Sequence, residues 1–348
     1  MLGALYAVLA AMAFGLNNAS ARRGVLTGSA LQGLVVTIPL GLLLFVPAAM
    51  IAGEMDQWGS FTGLQILYLA GGGFMHFVWG RYFNIRSLAF IGSNLAGPMQ
   101  QSQHIIALAL AVILLGETLT PMKVIGILLI ALGPIVMLDR QRAEKAATKP
   151  KAAKPQPVGA DIPDIAETDP GTGDPQQVFR PRLAQGYFNA FLAGVGYGTS
   201  PILVSAGLRG TGLSMLGGLI SYIAASAAIL LVLALPGKMR EMRDIRRASV
   251  PWFMLSGGSV FVSQFFRYLA LGIAPVTIVQ PIQSLSLIFR MIFGYFLNRE
   301  HERLDRWVFL GLGLSFVGAA VLTAGDEFIH HFLTLPPWLA EAAAWSWP

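Results

Sequence analysis

Of the 348 residues, 55% are hydrophobic and 12% charged, with a mean hydropathy of +0.62 and a formal net charge of +6. A soluble domain keeps about a quarter of its residues charged to cover its surface, so this composition excludes a water-soluble globule. The absence of cysteine excludes disulfides and thiolate metal sites, and the basic residues lie between apolar runs rather than in a nucleic-acid-binding patch.

In chain order, apolar runs cover 2–21, 30–51, 63–83, 91–115, 121–138, 185–206, 212–235, 251–270, 274–297 and 307–324. About 20 residues at 1.5 Å each cross a hydrocarbon core, and unpaired backbone is excluded there, so each run is expected to be a membrane helix. The expected fold is all-α membrane, with ten transmembrane helices. The first run precedes Ala19-Ser20-Ala21, which mimics a leader cleavage site; with no basic residue ahead of it and a counterpart later, it reads as the first span.

The chain repeats itself. Phe14-Gly15 matches Tyr197-Gly198, Arg81-Tyr82 matches Arg267-Tyr268, Pro98-x-Gln100 matches Pro281-x-Gln283, and Glu117 matches Glu300, at offsets of 183 to 186. Gly126 and Gly133 match Gly311 and Gly318 in the same order. Five spans per copy invert the second relative to the first. Basic residues agree, bordering spans 1 and 3 in one half (Arg22, Arg23, Arg81, Arg86) and spans 7 and 9 in the other (Lys238, Arg240, Arg243, Arg246, Arg247, Arg299, Arg303, Arg306), against only Lys123, Arg209 and Arg267 on the opposite side. That bias puts both termini outside and the mid-chain linker in the cytoplasm. The domains read as repeat 1 (1–139), a linker (140–183), repeat 2 (184–325) and an interfacial tail (326–348). Over 140–182 there are seven prolines and few large apolar residues, too little burial to offset the entropy of ordering. The tail carries Trp338, Trp345 and Trp347, which favour a membrane surface; His330-His331 reads as solvated rather than as a metal site.

Polar side chains inside spans are costly and are therefore site candidates. Span 4 offers Gln100, Gln101 and His104 beside Asn94 and Gly97, and span 9 offers Gln280, Gln283 and Arg290. Asn17, Asn18 and Ser200 hold matching places in spans 1 and 6; His76, Tyr222, Gln264 and Arg267 complete the substrate-binding set. The alternative for the amides is interhelical hydrogen bonding alone, worth under ~1 kcal/mol each. A histidine at 76 or 104 could couple transport to protons, or simply donate one hydrogen bond. Arg81 and Arg290 are expected to snorkel to the surface, whereas Arg267 either caps carbonyls or attracts an anion. Glu117, ahead of Thr120-Pro121, is expected to complement the dipole of span 5. No other acid lies in a span, so a cation site lacks its counter-charge and neutral, zwitterionic or anionic solutes fit better. The glycines seven apart read as packing seams, within the chain or across a homodimer.

Arg81-Tyr82-Phe83, Pro98, Gly116-Glu117, Gly126 and Gly133, with the looser second set Arg267-Tyr268-Leu269-Ala270, Pro281, Glu300, Gly311 and Gly318, resemble the drug/metabolite transporter superfamily, EamA type. The resemblance implies helices around a central cavity, spans 4 and 9 near a pseudo-twofold axis, and export of amino acids or other small metabolites. Its expected setting is a bacterial inner membrane, with the bilayer and a small solute as partners and no cofactor or nucleic acid. A lipid or lipid-linked-sugar flippase is the alternative. An enzyme is not expected, because no nucleophile–base arrangement or metal triad lies inside the spans.

Overall fold

The computed structural model describes residues 1–100, 102–132 and 182–297, with isolated positions between 310 and 321. Gln101, the linker through residue 181, the tail, Gly133, Gly311, Glu300 and most of span 10 lie outside the described residues, as does the side chain of Asn94.

Capping chemistry starts the helices where the apolar runs begin. Ser29 accepts the Gln32 amide at 3.3 Å while Gln32 returns its carbonyl to the Ser29 amide at 2.9 Å, opening α2 (Ala30–Ile51). Thr62 and Gln65 repeat that capping box before α3 (Gly63–Gly73). Thr120 accepts the Lys123 amide ahead of Pro121, opening α6 (Pro121–Leu132) as its sequence dictates. With α1 (Leu2–Gly24), α4 (Arg81–Gln100), α5 (Ser102–Leu115), α7 (Leu183–Leu208), α8 (Ser214–Leu233), the short α9 (Lys238–Arg243), α10 (Val250–Ile273), α11 (Val276–Gln283) and α12 (Ser286–Leu297), the described residues form helices and no strands. Five helical stretches are long and apolar enough to cross a membrane: α1, α2, α7, α8 and Val276–Leu297.

Two elements depart from uniform helices. Residues Phe74–Gly80, between α3 and α4, form a π-helix, a form that widens the turn and re-aims the side chains it carries. His76 and Phe77 point inward from it. The run at 274–297 is interrupted after Gln283: Ser284 returns both its amide and its hydroxyl to the Pro281 carbonyl, and α12 begins two residues on. Proline freed that region from a regular ladder, and the serine re-satisfies it.

Spans 3 and 4 run in opposite directions although helical bonding extends from 63 to 100. The Gln100 side chain donates to Asn84 and Ser87, yet 16 residues of straight helix would separate the first pair by about 24 Å, so the chain doubles back between them. End-to-end contacts fix the rest of the alternation. At one end, Arg22 donates to the Leu88 carbonyl at 2.8 Å and Arg23 to the Leu297 carbonyl at 3.1 Å. At the other, Glu54 accepts the Leu216 amide at 2.7 Å and Glu117 accepts the amides of Val276 and Thr277 at 2.9 and 2.8 Å. Acids therefore meet the N-termini of α8 and α11, and Arg23 meets the last carbonyl of α12, as the helix dipole favours. Burial pushes the Glu54 carboxyl above the usual carboxylate range, while the Leu216 and Met215 amides pull it back.

Glycine sets the helix spacing. A Cβ on Gly73 would lie 2.3 Å from the Ser221 carbonyl oxygen, and one on Gly318 would lie 2.8 Å from that of Gly126. The second pair shows a glycine seam closing inside the chain, between α6 and the described part of the last run. Gly73→Ala should lower stability by about 1–3 kcal/mol, because backbone cannot yield as a side-chain tip can. Thermal unfolding of the purified protein in detergent reads this, and an unchanged melting temperature would refute the tight α3–α8 crossing.

Candidate functional site

Among the described residues, three arginines lie inside the bundle at 2, 3 and 5% exposure: Arg81, Arg267 and Arg290. The expectation that Arg81 and Arg290 snorkel to a surface is therefore corrected. Each is held by side chains from other helices, an arrangement invisible to a reading of span position alone.

Arg81 donates to Thr37 at 3.0 Å, Asn17 at 3.1 Å and Ser256 at 2.9 Å, gathering α2, α1 and α10. Arg267 donates to His76 Nδ1 and to Gln264 Oε1, both at 2.9 Å, and more weakly to Ser200 at 3.3 Å. Of the two roles considered for Arg267, carbonyl capping is absent from these contacts. The two sets correspond: each arginine reaches the first helix of its own half (Asn17 or Ser200) and the third membrane run of the other (Ser256 or His76). Arg290 donates to Gln100 at 2.8 Å; Gln100 then donates to Asn84, which donates to Asn18 at 3.0 Å and to the Tyr197 hydroxyl at 3.2 Å.

Above this network sits a central cavity of about 20 Å³, room for roughly one ordered water. His76, Gln103, His104, Tyr197, Gln264, Arg267, Gln280 and Gln283 line it, with Ala11, Phe14, Ser263 and Ser286. Of the sequence candidates, His76, His104, Gln264, Arg267, Gln280 and Gln283 thus share one wall. Gln100, Arg290, Asn17, Asn18 and Ser200 lie in the supporting network. Tyr222 is elsewhere, its ring 3.9 Å from Phe77 and 5.1 Å from Phe45 in the apolar core. Gln101 lies outside the described residues. Gln103, a span 4 polar residue, also lines the cavity, whereas Tyr197, Arg81, Asn84 and Ser256 are site residues that the sequence does not single out as such. For Arg81 a signal existed, because its repeat mate is Arg267.

The cluster around Arg267 holds more donors than acceptors. A neutral imidazole offers one lone pair and one N–H, so His76 cannot accept from both Arg267 Nη1 and the Gln264 amide nitrogen that lies 2.8 Å from Nε2. Ser200 commits its own proton to the Gly72 carbonyl at 3.0 Å. Among the described residues, no carboxylate lines the cavity. The chemistry of such a wall is to hold an acceptor-rich group.

Glu117 is corrected as well. Its carboxylate spans the start of α11, not α6, tying the end of run 4 to the start of run 9. The sequence itself matches the model of the EamA-like transporter family over residues 1–138 and 184–324, nearly all of the chain outside its middle segment and tail. The chain belongs to that family. No curated protein matches the sequence. A solved structure described only as the crystal structure of a protein is similar to this EamA-like chain at 15% identity and a TM-score of 0.59, covering 92% of this chain and 96% of its own. At that identity the likeness speaks to the fold. The EamA-like family consists of membrane transporters of small solutes, and this multi-pass chain is one of them.

Proposed function

We propose that this transporter exports a small metabolite bearing a carboxylate or similar anionic group, an amino acid or organic acid, from a bacterial cell across its inner membrane. The supporting observation is the donor surplus at Arg267, His76 and Gln264, with no carboxylate on the cavity wall among the described residues. A negatively charged group there would satisfy donors that the protein leaves in competition, whereas an organic cation would meet like charge in a low-dielectric site.

Alternating access supplies the motion. Ten spans in two inverted repeats, 1–139 and 184–325, would give two end states of similar energy. The cavity is too small for a metabolite, and both ends are tied, by Glu54 and Glu117 at one and Arg22 and Arg23 at the other; this geometry fits an occluded intermediate. Protons could serve as the coupling ion through His76 or His104.

Counterflow in proteoliposomes with pooled labelled amino and organic acids tests the reading. Accumulation of an anionic or zwitterionic solute is expected, with Gln283→Ala and Gln100→Ala each lowering the initial rate by roughly tenfold to a hundredfold, the worth of about one hydrogen bond to a charged group. Accumulation of organic cations alone, or movement of fluorescent lipid between leaflets without solute counterflow, would contradict it.

A further inference from the structure

A second concavity is cut into the side of the bundle, away from the central cavity. It measures about 440 Å³ and lies between the start of α2, the π-helix with the start of α4, and the end of α8. That volume falls within the range of specific small-ligand sites. Leu34, Phe74, Val78 and Ile229 give it an apolar wall, and Trp79 closes one side with its indole fixed to the Leu192 carbonyl at 3.0 Å. At one end Arg86 and Lys238 stand at its rim, both half-buried. Arg86 is held over the rings of Tyr82 and Phe90, at 5.6 and 5.4 Å, so its guanidinium is placed before any ligand arrives.

We infer that this groove is a binding site for one anionic phospholipid, headgroup at Arg86 and Lys238 and acyl chains along the apolar wall. Three features select that occupant. An apolar groove on the outer face of a membrane bundle is filled by hydrocarbon, since water there would face few hydrogen-bond partners. Two cations at a single end attract a phosphate, as they would at any membrane surface rich in acidic lipid. Finally, the charged end is the one where Arg22 and Arg23 meet the carbonyls of Leu88 and Leu297, so the headgroup would sit at headgroup level. The groove's walls belong to helices whose separation changes if the bundle rocks, so an occupant would stabilise one conformation over another.

The test uses the full chain in detergent with phosphatidylglycerol or phosphatidylcholine of identical acyl chains, reading melting temperature and native mass spectra. Phosphatidylglycerol should raise the melting temperature saturably and remain bound in the spectra; phosphatidylcholine should do neither. Arg86→Gln with Lys238→Gln should weaken apparent affinity by roughly thirtyfold, the combined worth of two cations near an anionic surface. Val232 also lines the groove, and Val232→Trp, which fills the apolar part and leaves both cations, should abolish the effect as well. Equal binding of the two lipids, an unchanged response in the double variant, or full binding with Trp at 232 would each overturn the site.

Discussion

Arg267→Met is expected to reduce counterflow of anionic or zwitterionic solutes by roughly a hundredfold or more while leaving the melting temperature unchanged or raised, since two charge-assisted hydrogen bonds are worth about 1.5–3 kcal/mol each. Both halves of that expectation come from one geometry. Arg267 is 3% exposed, and its described partners are His76, Gln264 and Ser200, none of them an anion. A buried charge without a counter-ion costs more than an apolar replacement of similar shape, so its removal should not weaken the fold. His76 Nε2 and the Gln264 amide already stand 2.8 Å apart, so after removal of the competing donor they can pair with each other. A group retained at such cost is one that the cavity uses. Arg267→Lys separates charge from shape: a single ammonium cannot reach three partners in fork geometry, and transport should still fall by about tenfold. If Arg267 merely bolts helices together, transport and melting temperature would fall in step. A stable variant with full counterflow would remove the anion-binding reading altogether.

The architecture was legible because its signals are local or repetitive. Apolar runs declare membrane helices by length, and the collinear matches around Arg81/Arg267 and Pro98/Pro281 declare a duplicated unit. What stayed hidden depends on neighbours distant in sequence. Arg81 reads as a snorkelling residue because a flexible cation near a span end normally has water within reach. Only the convergence of Asn17, Thr37 and Ser256, from three other helices, makes an interior position tolerable. The same limit explains Glu117. Sequence places it three residues before an N-cap, and local reasoning assigns it to α6; the fold brings the α11 amides to it across 159 positions. The π-helix around His76 has no comparable signal, since Gly71-Gly72-Gly73 marks close approach but not a widened turn. Position was easier to read than partnership. Gln280, Gln283, Gln264 and His104 all line the cavity, because a polar side chain inside a span has few places to go except the interior.

Glu117→Ala should open the cavity toward the end that Glu117 closes, raising the labelling rate of a cysteine placed at Ala11 by roughly a hundredfold or more, the worth of two carboxylate–amide bonds. Ala11 lines the cavity and is fully buried, so labelling there requires the bundle to part. The experiment is clean because the chain has no cysteine of its own. The carboxylate joins residues 160 positions apart, accepting from Val276 and Thr277 at the positive end of α11, so it ties the two halves rather than stiffening one. Glu117→Gln keeps one acceptor without charge and should fall between the wild type and alanine. Glu54→Ala, which frees the Leu216 amide at the same end, should act in the same direction and close to additively, since the two caps join different helix pairs. A membrane-impermeant maleimide added from each side in turn also reports which face this end occupies; the charge bias predicts labelling from outside. Labelling that stays at the wild-type rate from both sides in the Glu117→Ala, Glu54→Ala double variant would mean that neither carboxylate gates the cavity, and the occluded geometry would then have to be held by apolar contact alone.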